Sequence, residues 1–171
     1  ALGLAFLWLE LPLMQRVILL LDHPTYSFGV VLFAVLVFSG VGSLLSPRLG
    51  RYRRWAILVL AVLALAYALG ASLLVQVLLG LPLAVRITLA VASVTPLALL
   101  MGVPFPSGIA ALQRSRPALV PWAWGANGYA SVVGSVAGAL VALTWGFTWV
   151  MLAAGAMYLV AWAVFYRPLG A

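Results

Sequence analysis

Residues 2–21 read LGLAFLWLELPLMQRVILLL, from Leu2 to Leu21. A helix of about 20 residues at roughly 1.5 Å per residue is about 30 Å long, the thickness of a bilayer's hydrocarbon core. Apart from Glu10, Gln15 and Arg16 the stretch is apolar all round, so it has no face suited to water. Such a helix belongs either in the middle of a large protein or in a membrane, and the rest of the chain decides between the two.

The chain has 171 residues, 67% of them hydrophobic and 6% charged. Soluble domains carry roughly 25% charged residues. Nine arginines and two acids cannot solvate a globule of this size, which excludes a soluble enzyme and a disordered tail. The net charge of +7 is not gathered on a polar face, as a nucleic-acid footprint requires, so no nucleic-acid partner is expected. The expected surroundings are a lipid bilayer. Further stretches like the first lie at 26–45, 55–78, 87–103, 125–146 and 148–166. Backbone groups in hydrocarbon must pair within a helix or a closed barrel, and no short alternating segments suggest a barrel. The expected fold is therefore a single all-α bundle of six transmembrane helices across residues 1–171, with no room for a soluble domain. The absence of cysteine excludes disulfides and thiolate metal sites. Ala1 opens almost directly into the first span, without the basic flank and cleavage site of a signal peptide, so a piece of a longer polypeptide is expected.

The arginines set an orientation. Arg48, Arg51, Arg53 and Arg54 follow the second span, Arg114 and Arg116 the fourth, and Arg167 the sixth. After an even number of crossings these regions share a side, which the positive-inside rule makes cytoplasmic. Both termini would then face the cytoplasm of a bacterial inner membrane, with Asp22, His23 and Arg86 on the outer side. Trp55, Trp122, Trp124, Trp149, Tyr26 and Tyr166 fall near span ends, as interfacial aromatics do. Between Gly102 and Trp124, prolines 104, 106, 117 and 121 predict a broken, ordered cytoplasmic connector, with one short helical turn along the interface at Ile109–Leu112.

Helices in lipid associate through small residues. Ala130, Gly134, Gly138 and Ala142 recur every fourth residue on the fifth span, beside a more polar line of Asn127, Ser131, Ser135 and Ala139. This predicts a fifth span buried between partners. The third span carries a similar line at Ala64, Ala68, Ser72 and Gln76. Tyr158, Trp162 and Tyr166 predict an aromatic stripe facing lipid or another subunit.

Glu10 lies near mid-bilayer, where an ionisable group is costly. It reads either as a proton, cation or substrate site, or as a carboxyl hydrogen-bonded to a neighbouring helix. Six residues separate Glu10 from Arg16, which turns them about 120° apart on an ideal helix and argues against direct pairing. Asn127, Ser131 and Ser135 are the expected partners for Glu10, and Gln15 and Arg16 complete a candidate polar site. Arg16 can also snorkel to the outer interface. Asp22 and His23, before Pro24, read as a turn and helix cap rather than a metal site. Thr95-Pro96 predicts a kink whose freed carbonyl the threonine can satisfy. No phosphate loop, dinucleotide fingerprint, catalytic triad or paired carboxylates occur, so neither a cofactor nor catalysis is expected of this chain.

Two resemblances follow from these residues. The basic loop Ser43-Leu-Leu-Ser-Pro-Arg48-Leu-Gly50-Arg51-Tyr-Arg53-Arg54 resembles the signature between helices 2 and 3 of major facilitator superfamily transporters, departing from it at Ser43 and Pro47. Gly134-Ser-Val-Ala-Gly138 resembles that superfamily's helix-5 glycine motif, with Ser135 in place of proline. Such transporters hold substrate between two halves, and six helices resemble one half. A second resemblance covers more of the chain. Glu10-Leu-Pro-Leu-Met-Gln15-Arg16, Leu21-Asp-His-Pro-Thr-Tyr26, Pro104-Phe-Pro-Ser-Gly108 and Pro121-Trp-Ala-Trp-Gly125-Ala-Asn127-Gly128 look like the membrane portion of bacterial spermidine synthase-like membrane proteins. There a facilitator-like segment is fused to a soluble aminopropyltransferase-type domain. The resemblance implies a transmembrane module that is a structural or accessory part of a larger assembly, with other membrane subunits or a fused soluble domain as partners. The alternative is a transporter-like module holding a small cationic or protonatable substrate around Glu10.

Overall fold

Backbone groups of an apolar segment have only one another to pair with, and this chain is helical almost throughout. The computed structural model describes residues 2–21 and 24–166. Its α-helices are α1 (Leu2–Leu21), α2 (Pro24–Leu45), α3 (Arg53–Leu78), α4 (Leu83–Met101), α5 (Pro104–Ser115), α6 (Val120–Trp145) and α7 (Phe147–Tyr166). Tight 3-10 helices occupy Ser46–Tyr52 and Pro117–Leu119. Asp22, His23 and Arg167 lie outside the described residues, as does the side chain of Tyr166.

Among the described residues five helical stretches are long and apolar enough to cross a membrane: Leu2–Leu21, Pro24–Leu78, Leu83–Ser115, Pro117–Trp145 and Phe147–Val164. The second contains both α2 and α3, because the loop between the expected second and third spans winds into a 3-10 helix. Phe33, Leu44, Leu69, Val77, Val132 and Leu143 stand exposed on the outside of the bundle. An apolar surface of this extent needs a lipid solvent, and the chain is a multi-pass membrane protein.

The core runs along α1. Leu9, Leu13 and Val17 are almost wholly buried, and α1 packs against α6, α7, α2 and α4. Around it α3 lies along α7 and α2 along α4. The latter pair approaches backbone to backbone. A methyl group at Gly42 would meet the carbonyl of Leu99, and one at Gly102 would meet the carbonyl of Ser39. At the other end of the bundle Arg86, in the first turn of α4, donates to the carbonyl of Leu20 at 2.8 Å. A cation there also suits the negative C-terminal end of α1.

Several expectations need correction. The proline-rich connector is mostly helical. Pro104 and Pro106 fall in the first turn of α5, where no N–H donor is required, and Ser107 starts the ladder by donating to Val103 at 3.2 Å. Pro117 opens the second 3-10 helix and Pro121 the first turn of α6 in the same way. α6 is not enclosed between partners. Its buried residues are Gly134, Gly138 and Ala142, which pack against α1, while Ala130 is half-buried and Val132, Val136 and Leu140 face outward. The Gly134–Ala142 line is the buried one, while the neighbouring polar line is half-buried at Asn127, Ser131 and Ser135 and exposed at Ala139. The stripe on α7 does not face lipid at Tyr158, whose ring is fully buried beyond Val150, Met151 and Ala154 on the same helical face. Spacing identified a face correctly but gave it the wrong direction. At Pro96, α4 continues without interruption, and Thr95 Oγ1 donates to Val91 at 2.7 Å. That carbonyl precedes the one at Ala92 that Pro96 frees.

Candidate functional site

The polar residues of α1 point three ways. Leu4, Trp8 and Leu11 meet the glycines of α6, and Gln15 continues their i, i+4, i+7 line toward the same helix. Ala5, Leu9 and Pro12 are buried, and Arg16 continues that line toward α3 and α7. Gly3, Phe6 and Glu10 share the remaining face by the same spacing. The five candidates Glu10, Gln15, Arg16, Asn127 and Ser131 therefore do not converge on one pocket.

Asn127 and Ser131 sit beside Gly3. A methyl group at Gly3 would meet the Asn127 carbonyl, and would come within 2.5 Å of Ser131 Oγ and 3.0 Å of Asn127 Oδ1. Seven residues of α1 separate Gly3 from Glu10, about 10 Å along the axis. The expected pairing of Glu10 with Asn127, Ser131 or Ser135 does not form. Ser131 and Ser135 turn back on α6 instead, to the carbonyls of Asn127 at 3.0 Å and Val132 at 2.8 Å. A serine inside a helix has those carbonyls within its own reach.

Asn127 and Ser131 line a cleft of about 360 Å³ at the end of the bundle that carries α5. Gly3 and Phe6 form its α1 wall, and Gly40 and Ser43 its α2 wall. The face bearing Gly3 and Phe6 leads one turn further to Glu10. That carboxyl is half-buried, and among the described residues it makes neither a hydrogen bond nor an ion pair, including with Arg16.

Arg16 builds a separate cluster toward the opposite end. Its guanidinium fork donates from Nη1 to Ser72 Oγ of α3 at 3.2 Å and from Nη2 to Thr148 Oγ1 of α7 at 2.9 Å. Tyr67, on α3, faces Ser93 of α4 and lies within electrostatic reach of the same cation. Three helices thus meet at one guanidinium. Ser72 was visible in the sequence as part of the third span's small-residue line, but Thr148, Tyr67 and Ser93 carry no local signal. Arg16→Met is expected to destabilise the purified protein by about 2 kcal/mol, the scale of hydrogen bonds to a charged donor. Arg16→Lys should lose nearly as much, because a single ammonium cannot span two helices as a planar fork does. Unchanged melting of Arg16→Met in detergent would refute this account.

The basic segment is ordered by its own groups. Gly50 adopts φ 46° and ψ −118°, a backbone conformation that other residues rarely take. Arg53 Nε donates to the Gly50 carbonyl at 2.9 Å, and Arg51 reaches the Tyr52 hydroxyl at 2.9 Å. Arg54 lies over the Trp55 ring, 5.3 Å from its centroid, and Arg48 is exposed. Among the described residues no group of histidine and carboxylate side chains could hold a metal ion. Compared with known protein families, curated proteins and solved structures, the chain matches none.

Proposed function

We propose that this chain is the transmembrane module of a larger membrane assembly. It would be a structural or accessory part of the kind implied by the resemblance to bacterial spermidine synthase-like membrane proteins. In this reading it crosses the inner membrane six times as a facilitator-like half, with both ends and the arginine-rich segments on the cytoplasmic side. The stretch Pro24–Leu78 has 55 residues. As one straight helix it would extend about 80 Å, far more than a hydrocarbon core of about 30 Å. The non-helical backbone at Gly50 supports dividing it into two crossings. α5 then lies along the cytoplasmic surface.

Glu10 carries the proposal. A half-buried carboxyl in an apolar bundle is costly unless polar groups meet it, and within the described chain none does. Its face is continuous with a cleft that opens outward. The groups that meet Glu10 therefore come from another module of the assembly. Removing the carboxyl should leave the isolated module as stable as before, or more so, since no internal bond is lost. The same Glu10→Leu change should release the module from its assembly on a native gel of membranes solubilised in mild detergent. Retention of the full assembly would overturn the reading. The chain's lack of cysteine makes the six-pass topology directly readable. Single cysteines at Arg48 and Arg114 should label with an impermeant maleimide from one side only, and those at Gly80 and Gly146 from the other.

A second reading is favoured by the face of α1 that Glu10 shares with Gly3 and Phe6, which wall the Asn127–Ser131 cleft. The module would then hold a small cationic or protonatable substrate there. In that case Glu10→Gln abolishes substrate binding while the assembly stays intact.

A further inference from the structure

We infer that the cleft at the α5 end of the bundle binds an uncharged ring compound carrying carbonyl oxygens, the chemistry of a quinone headgroup. Its volume of about 360 Å³ falls within the range of small-molecule sites, roughly 300–1,000 Å³, which are mostly apolar with a few placed polar groups. Phe6 of α1, Phe105 of α5 and Tyr158 of α7 supply aromatic wall. Phe105 meets the Trp124 ring edge-on, with centroids 4.7 Å apart, so this part of the wall is held in place by the protein itself. A flat ring packs against such walls as aromatic side chains pack on one another.

The polar groups of the cleft select the class of ligand. Ser43, Asn127 and Tyr158 line it, and among the described residues none of these three side chains makes a hydrogen bond. Tyr158 decides most, because it is only 1% exposed and a buried hydroxyl without a partner is costly. The hydroxyls of Ser39 and Ser131, on the same walls, already donate to the carbonyls of Leu36 and Asn127. The two remaining hydroxyls and the Asn127 amide can all donate. A ligand that brings carbonyl oxygens satisfies them without breaking any bond within the chain. No charged side chain lines the cleft, so an ion would lose its hydration there without meeting a counter-charge. A neutral acceptor therefore matches the walls and the donors together, whereas a cation would have to reach past Phe6 to Glu10. This site requires only the packing of the helices, and is independent of membership in a larger assembly.

Thermal melting of the full chain, purified in mild detergent and followed by circular dichroism, provides the test. The probe is a short-chain benzoquinone. With neither cysteine nor lysine in the chain, it meets no side-chain thiol or primary amine to react with. The melting temperature should rise with probe concentration and saturate, because the ligand binds the folded state. Tyr158→Phe and Asn127→Ala should each raise the half-saturating concentration about fivefold, the effect of one lost hydrogen bond. Gly40 lines the cleft from α2, and a methyl group there would meet nothing within 4 Å. Gly40→Leu should therefore melt like the parent protein without probe and show no rise with it. The same ring bearing a quaternary ammonium should also give no rise. Absence of a saturable rise in the parent protein overturns the proposal, as does an equal rise in Gly40→Leu, which would mark partition into the micelle. Unchanged half-saturation in both Tyr158→Phe and Asn127→Ala, or stronger binding of the cationic ring, overturns it as well, the latter in favour of a substrate at Glu10.

Discussion

Gly42→Ala and Gly102→Ala are each expected to destabilise the purified protein by about 3 kcal/mol, the upper part of the usual range for overpacking. For a chain of this size that corresponds to a fall in melting temperature of about 6–12 °C. The size follows from what the added methyl meets. At Gly42 it is driven into the Leu99 carbonyl, with Leu99 Cα only 3.3 Å away. At Gly102 it is driven into the Ser39 carbonyl, with the Ser43 nitrogen at 2.9 Å. These are backbone atoms of a facing helix, so relief requires α2 and α4 to separate along their length. Gly155 provides an internal comparison. A methyl there comes within 2.8 Å of Leu65, but of its side-chain atoms Cγ and Cδ2, which can rotate away. Gly155→Ala should cost about 1 kcal/mol or less. Gly40 has nothing within 4 Å, and Gly40→Ala should leave melting unchanged. Equal melting of Gly40→Ala and Gly42→Ala would show that α2 and α4 do not approach as described.

These glycines also mark where sequence reading stops. Gly134 and Gly138 are legible because both belong to one helix, four residues apart. Gly42 and Gly102 are single residues on different helices, and their relation exists only once α2 and α4 have packed. The helices were legible from apolar runs, and four of the six expected spans match observed helix ends within about two residues, as is usual. Two starts differ by more: α4 begins at Leu83 and takes in Arg86, expected in the outer loop, and α6 begins at Val120, because Pro121 fits a helical first turn.

The candidate site divides in a similar way. Glu10, Arg16 and Asn127 stand out in the sequence because polar groups are rare in such a chain. The direction each one faces depends on which helix lies alongside α1, and no periodicity in α1 contains that information. The candidates were therefore found individually, while their grouping was not. Arg16 found hydroxyls on α3 and α7, Asn127 found Gly3, and Glu10 found no partner among the described residues. The direction of the Tyr158 face was lost for the same reason. Its spacing is equally compatible with lipid and with the core, and the contact of α7 with α1 and α3 makes the choice.

Trp8→Ala is expected to cost about 4 kcal/mol, in the range for removing a large aromatic from a packed site. Two separable contributions make up that figure. Trp8 Nε1 donates to the Gly134 carbonyl at 2.7 Å, so the indole fixes α1 against α6 in register. A carbonyl oxygen has two lone pairs, so Gly134 can accept this bond and keep its own helical one. Trp8→Phe should therefore lose only about 1 kcal/mol. The larger part is packing against Gly138, where an added methyl would lie 3.0 Å from Trp8 Cδ1 and Nε1. This contact has a reciprocal consequence. Gly138→Ala should destabilise the parent protein, because the ring cannot retreat without breaking its bond to Gly134. In the Trp8→Ala background the same methyl enters the space the indole vacated and should be neutral or stabilising. A coupling on the order of 1–2 kcal/mol between the two positions is the expected signature of residues in direct contact. Strict additivity would mean that α6 does not rest on α1 through this tryptophan. It would also remove the reason for placing Gly3 beside Asn127, since both contacts depend on the same seating of one helix on the other.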